Sequence, residues 1–515
     1  MLRRDVLAGL MGLLATRAVA QDGEGAAPAP EAGEPGLQLG DPAPFSESDV
    51  RTLAADLAAQ PYSEPQRIPD AWTDLSYDQY RSIWFDPRNA LWENVEDTPV
   101  RVDVFAPGLY FPTPIRIDVI EGQEARPVLF SLDVFDKTDQ FPDLPVDETL
   151  GYSGFRLRAE LEQQGIFTEF AVFQGASYFR GIGAGQIYGI SARGLAIDTA
   201  ESSGEEFPEF RRFWLERPAA GSDEIIIHAL LDSPSATGAY KFTIQPGDAL
   251  EMRVEAEIFA RDRLTHFGIG ALTSMFQFDE TNRHRFSDFR SAVHDSDGLL
   301  MLSGGGETIW RPLANPRTLQ VSGFQDENPR GFGLMQRARN FEDFADLQAL
   351  YHRRPSLWIK PGEGWGVGEV TLVEIPTDDE IYDNIVAYWR PRTPLESGQS
   401  RAFSYNMTWS SRAEYGKGLR VLNTRAGDDR GGGLRFTIDF APENGALTDP
   451  DSIIPLVRAS QGEIVAPIVE RNPETGGLRL GFKFQPGDAE VSEMRAQLRT
   501  PNAPLSEVWL YRWTE

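Results

Sequence analysis

From Val100 onward the chain alternates. "VRVDVFA" (100–106), "PIRIDVI" (114–120), "EIIIHALL" (224–231), "YKFTIQ" (240–245) and "MRVEAEIFA" (252–260) largely set apolar residues at every second position. That period turns one face of a strand toward a core and the other away from it. Gly, Pro and Asp turns break the runs at close spacing, which leaves no room for the long crossovers that parallel strands need. The pattern therefore predicts an all-β chain of antiparallel strands forming a sandwich or barrel, not alternating strands and helices.

At 515 residues the chain exceeds one ordinary core, so at least two domains are expected. A Pro/Ser/Gly-containing connector, "RPRTPLESGQSR" (390–401), marks the break. After it, "AFSYNMTW", "LRFTIDF", "EIVAPIV", "LRLGFKFQ", "MRAQLRT" and "EVWLYRW" suggest about seven strands in about 115 residues, the size of an immunoglobulin-like sandwich without its cysteine pair. The expected boundaries are a first β domain over 45–390, a linker over 391–400 and the immunoglobulin-like sandwich over 401–515. Ahead of them, "SESDVRTLAADLAAQ" predicts a helix capped by Ser46 or Ser48, with Val50, Leu53, Ala54 and Leu57 on one face. Residues 21–44, rich in Gly, Pro, Ala and acid, read as a disordered tether. Residues 1–20 read as a twin-arginine export signal: Arg3 and Arg4, an apolar stretch too short to span a bilayer, and A-V-A ending at Ala20. The periplasm is the expected destination.

The formal net charge of −29 argues against nucleic acid and against an anionic membrane surface as partners. The chain has no cysteine and only five histidines, none in H-E-x-x-H spacing, so neither a transition-metal site nor another cofactor is expected. "GIGAGQIYG" (181–189) is followed by strand text where a dinucleotide site needs a helix, and reads as a tight turn. "HDSDG" (294–298) opens like a calcium loop, but the twelfth position is Gly306 rather than a bidentate Glu.

What is left is a surplus of acids and aromatics. "EIPTDDEIYDNIVAYW" (374–389) brings Glu374, Asp378, Asp379, Glu380 and Asp383 to the mouth of an apolar strand, and Trp310, Trp358, Trp365 and Trp389 fall among the acidic stretches. Aromatic faces beside carboxylates suit a sugar, whose C–H face stacks while its hydroxyls bond to acids and arginines. An Asp before a strand is, equally, a common turn residue, and each Trp is a common core residue.

Several long strings carry a resemblance: "GASYFR", "YGISARGLAIDTAESSGEEFPEFRRFW", "ALLDSPSATGAYKF", "GALTSMFQF", "VHDSDGL", "NPRGFGLMQR", "RRPSLWIKP", "EIPTDDEIYDNIVAYW" and "LSEVWLYRW". In this order the chain resembles the periplasmic glucan biosynthesis proteins OpgG and OpgD, and the twin-arginine leader leans toward the OpgD branch. The resemblance implies a galactose-mutarotase-like β-sandwich followed by the immunoglobulin-like one. It also implies work on the β-1,2-glucan backbone of osmoregulated periplasmic glucans, as an anomer-inverting endo-β-1,2-glucanase, as an inverting transglycosylase that closes the chain through an α-1,6 bond, or as a non-catalytic scaffold for a membrane glucan synthase. Asp383 takes the general-acid position of the family pattern and Asp295 the general-base position. Tyr351, Arg354, Trp358 and Glu380 are the candidate glucan-binding residues, and a homodimer is implied.

Overall fold

The computed structural model describes residues 36–95, 97–137, 142–412, 415–441 and 450–515. The export signal and most of the tether lie outside the described residues. Residues 36–44 do not behave as tether: Leu37 N–H donates to Asn89 O (3.3 Å), Gly40 N–H to Pro127 O (2.8 Å), and Ala43–Pro44 pairs with Glu124–Pro127. The helix follows as Glu47–Ala58, with Ser46 as N-cap in a capping box with Asp49, and it buries Val50 and Ala54. Among the described residues no helix is long and apolar enough to cross a membrane.

Strands dominate, and the chain is an all-β protein of several sheets. It forms two compact units, the first ending at Ala271 and regaining Thr393–Trp409, the second made of Leu272–Arg392 and Ser410–Glu515. In the first unit the strands Glu209–Glu216, Ile225–Asp232, Ala236–Gln245, Leu250–Ala260 and Ser400–Ser410 pair in that order, each antiparallel to the next. Leu250–Ala260 buries alternate side chains along its first eight residues, as its sequence period demands. A second sheet of Val100–Phe105, Gly154–Ala159, Thr168–Gln174, Tyr178–Gly181 and Ser191–Arg193 lies face to face with it. Their contact is aromatic: Phe155 meets Phe213 edge-on at 5.0 Å, and Phe173 meets Phe242 at 5.3 Å. Edge-to-face pairs of this kind add to the burial of the rings themselves, and here they fix how the two sheets interlock.

In the second unit the C-terminal strands do not keep to themselves. Val508–Thr514 runs parallel to Thr308–Pro312, with Ile309 opposite Val508 and Trp310 opposite Trp509. Arg420–Asp428, Leu434–Ala441, Glu463–Asn472 and Gly477–Gln485 form a four-stranded sheet whose Phe436, Phe440, Phe482 and Phe484 join a cluster with Leu300, Trp310, Met335, Trp358 and Trp509. The compact units thus do not divide at the 391–400 connector, because Ser400–Ser410 is a hydrogen-bonded neighbour of Leu250–Ala260.

Candidate active site

The stretch Ser274–Met275–Phe276 in the second unit organises the site. Asn384, just ahead of the strand Ile385–Pro391, binds it: its N–H donates to Ser274 O (3.1 Å), its side-chain oxygen accepts from Phe276 N–H (2.8 Å), and its amide donates to Phe276 O (2.9 Å) and, outside the stretch, to Ile375 O (3.0 Å). Asp383, the preceding residue, is buried at the end of the acid-rich turn. The His294–Ser296 segment binds the same three residues: Asp295 N–H donates to Met275 O (2.8 Å), Ser296 and Ser274 hydroxyls share a bond (2.7 Å), and the His294 ring stacks on Phe276 at 5.4 Å. Asp383 and Asp295 are therefore carried by two segments that share one anchor.

Asp295 is completely buried, and Arg354 donates to its carboxylate. The Arg354 guanidinium also lies over the Tyr351 ring, 4.4 Å from its centroid. Burial pushes the Tyr351 phenol far above its ordinary range, so it remains a neutral hydroxyl. His294 is driven the other way, to about 3 by burial, and is a neutral ring beside Phe276 and Phe344.

The turn that carries Asp383 is fixed by Arg290. Its guanidinium binds Asp288 (2.8 Å), Asp346 (2.9 Å) and Glu380 (2.6 Å). Asp346 in turn accepts Gln348 N–H (2.7 Å) and Ala349 N–H (2.8 Å), which shapes the loop leading to Tyr351 and Arg354. That loop is bounded by Ala345 and Leu350, both left-handed at φ 56° and 47°. Such conformations are costly for residues with a side chain and persist where the surroundings over-determine them. Tyr351, Arg354, Glu380 and Asp295 are thus brought into one neighbourhood.

Trp358 is not part of it. It is 5 % exposed, stacks on Tyr415 at 4.2 Å inside the apolar cluster, and covers Gly331, where a Cβ would sit 2.1 Å from its ring. Trp310, Trp365 and Trp389 are buried too. These four rings are core, not sugar shelves. The five acids of the turn separate by environment: Glu374 is buried against Arg311 (3.0 Å) and Ala314 N–H (2.7 Å), with burial raising its carboxyl, while Asp379 accepts from Ile381 N–H (3.1 Å) within the turn. Arg290, Asp346 and Asn384 are neighbours of the candidate residues that no sequence motif announced. Only Asn384 carried a signal, by following the buried Asp.

A family model described as "Periplasmic glucan biosynthesis protein, MdoG" matches residues 45–513. The chain belongs to the MdoG family. It is 45 % identical over 476 residues to "Glucans biosynthesis protein G" of Shewanella baltica, covering 91 % of this chain and 87 % of that one. The protein of the same name from Shewanella frigidimarina is 44 % identical over 476 residues, covering 91 % and 85 %. These MdoG relatives carry the G name, and nothing in them supports the D branch toward which the leader leans.

Proposed function

We propose that this MdoG-family protein is a periplasmic, anomer-inverting enzyme of β-1,2-glucan, cutting within the chain, with Asp383 as general acid and Asp295 on the general-base side. The observation that carries the reading is the shared anchor: two buried carboxylates held on either flank of Ser274–Phe276. Inverting glycosidases need one acid at the leaving oxygen and one base for water, about 6.5–9.5 Å apart. Arg354 is the counter-ion of Asp295, and Tyr351 and Glu380 face the same space with groups able to bond sugar hydroxyls. Proton transfer through a substrate hydroxyl and an ordered water would let Asp295 act without touching the reacting carbon.

The family description, biosynthesis, favours a second reading in which a glucose 6-hydroxyl replaces water and the chain closes through an α-1,6 bond. The same two acids serve both reactions. Incubation of the mature protein with linear β-1,2-glucan, followed by mass spectrometry, separates them: each hydrolytic cut adds a water, whereas a ring is one water lighter than the linear chain of equal length. No product of either kind, together with retained glucan binding, would leave the scaffold role beside a membrane glucan synthase. Export through the twin-arginine route and a homodimer belong to the same proposal. Replacing Arg3 and Arg4 by Lys is expected to strand unprocessed precursor in the cytoplasm, and sedimentation of the mature chain reads the dimer directly.

A further inference from the structure

With Trp310, Trp358, Trp365 and Trp389 in the core, the aromatic surface of the second unit lies elsewhere. Phe289 is 78 % exposed, more than any other aromatic among the described residues, and it directly precedes Arg290. A phenylalanine left in water forgoes the burial that usually fixes such a side chain, so a loose loop would be expected around it. The loop is instead bonded on both sides of Phe289. The Arg283 guanidinium donates to Asp288 O (3.1 Å) and to Arg290 O (3.0 Å), and Arg290 N–H donates to the Asp288 carboxylate (2.8 Å). The Phe289 ring is held as well, its centroid 5.7 Å from the Arg290 guanidinium in a cation–π contact.

That guanidinium also binds Glu380 (2.6 Å) and Asp346 (2.9 Å), so a single group separates the exposed ring from the Glu380 carboxylate, three residues ahead of Asp383. Leu347, 77 % exposed, and Ile381, also exposed, directly follow Asp346 and Glu380. Each of the three segments that meet at Arg290 therefore carries an exposed apolar side chain next to the residue it contributes. Single exposed apolar residues are ordinary on any surface, but three gathered around one guanidinium mark a place where something docks. Charge restricts what that is. Asp378 and Asp379 are exposed in the same turn, and Arg290 is already engaged by three carboxylates. Such a mouth repels anions and accepts hydrogen bonds from hydroxyls. A pyranose meets both conditions, with an apolar C–H face for the ring and hydroxyls for the acids.

We infer that Phe289 is a stacking platform for one glucose ring of the glucan chain at the mouth of the candidate site, with Leu347 and Ile381 as its apolar margin. The inference rests on the glucan reading proposed above but not on cleavage, since a platform serves a chain that is cut, closed into a ring or only held. Arg283 and Arg290 fix the ring before any sugar arrives, so little ordering remains to oppose docking.

Calorimetric titration of linear β-1,2-glucan into the mature full-length chain carrying Asp383→Asn, which keeps the ligand from being consumed, tests it. Adding Phe289→Ala is expected to weaken binding about three- to tenfold, the scale of one aromatic contact, whereas Phe289→Trp retains or tightens it. Because the side chain is exposed, both variants are expected to melt with their parent, which separates lost binding from lost fold. Wild type that yields no product from glucan, beside a Phe289→Ala variant that binds glucan more weakly, would remove the enzymatic reading and leave the platform standing. The platform is overturned if neither wild type nor Asp383→Asn binds glucan, or if folded Phe289→Ala binds it as the parent does. In the latter case sedimentation of the Phe289→Ala variant shows whether the patch instead joins two copies of the chain.

Discussion

Three aspartates of the second unit illustrate how environment divides one residue type among several roles. Asp383→Asn retains size and most hydrogen-bonding capacity but cannot deliver a proton. Under the proposed reaction, turnover on β-1,2-glucan is expected to fall by about 10²–10⁴. Asp295→Asn should lose a similar amount, and Asp379→Asn, in the exposed part of the turn, little. Product analysis of the three variants side by side decides the assignment, and an Asp379 variant that fails while Asp383→Asn turns over would misplace the acid. Asp279 offers a test of a different kind. Burial, with Glu280 adding repulsion, pushes its carboxyl up to about 7, whereas an exposed aspartic acid titrates near about 4. The folded state therefore holds a proton that the unfolded chain has lost between those values, and this residue's contribution to stability falls as pH rises through that window. Asp297, pushed up to about 6, acts in the same direction. Asp279→Asn keeps an oxygen to accept the Thr281 N–H (2.8 Å) and hydroxyl (2.6 Å). Its melting temperature is expected to exceed that of wild type at pH 8, the gap narrowing steadily as pH falls from about 7 towards about 4; parallel curves across that range would contradict the argument.

At the scale of elements, the site depends on one turn being nailed to one short segment. Asn384 makes two side-chain bonds there, at 2.8 and 2.9 Å, and a third to Ile375 O at 3.0 Å, all from a residue with almost no exposure. Asn384→Ala leaves the Phe276 amide and two carbonyls without them, which is expected to cost about 1–3 kcal/mol in urea denaturation. Because Asp383 is the neighbouring residue, kcat is expected to drop by more than the stability loss explains, since small displacements of a catalytic group are expensive. An unchanged kcat in folded Asn384→Ala would show that the turn does not need this anchor. Much of this element was legible in advance. Period-two text located the strands, and acids massed before "NIVAYW" located the turn. The anchor was not legible, because Phe276 and Asn384 stand 108 residues apart and meet through backbone groups that every residue possesses. Nor was the fate of Trp358: a tryptophan close to acids in sequence looks the same whether it stacks on a sugar or, as here, on Tyr415. Arg290 is silent for a related reason, since its three carboxylates come from three separate stretches of chain.

For the whole molecule, the all-β class followed from strand rhythm, but the connector at 391–400 misleads about where compact structure divides. Pro, Ser and Gly mark a place where the chain turns, and a turn need not end a core. Ser400–Ser410 returns to pair with Leu250–Ala260, a partner about 150 residues earlier that no local composition reveals. Beyond Ser410 the chain builds a core it cannot complete alone. Of the large buried side chains around Trp509, Leu300, Trp310, Met335 and Trp358 come from before the connector, and the strand Val508–Thr514 takes its parallel partner from Thr308–Pro312. Removing them uncovers two tryptophan-sized holes and a sheet edge, each large apolar side chain worth about 1.5–3 kcal/mol of burial, against a net stability of only about 5–15 kcal/mol for a typical domain. A fragment of residues 411–515 expressed alone is therefore expected to give no cooperative urea transition and weak near-ultraviolet dichroism, while the full chain gives both. A fragment that unfolds cooperatively, with its tryptophan emission as blue as that of the intact protein, would show that the four-stranded sheet and the strands beneath it are sufficient, and that the residues before the connector only decorate a core already formed.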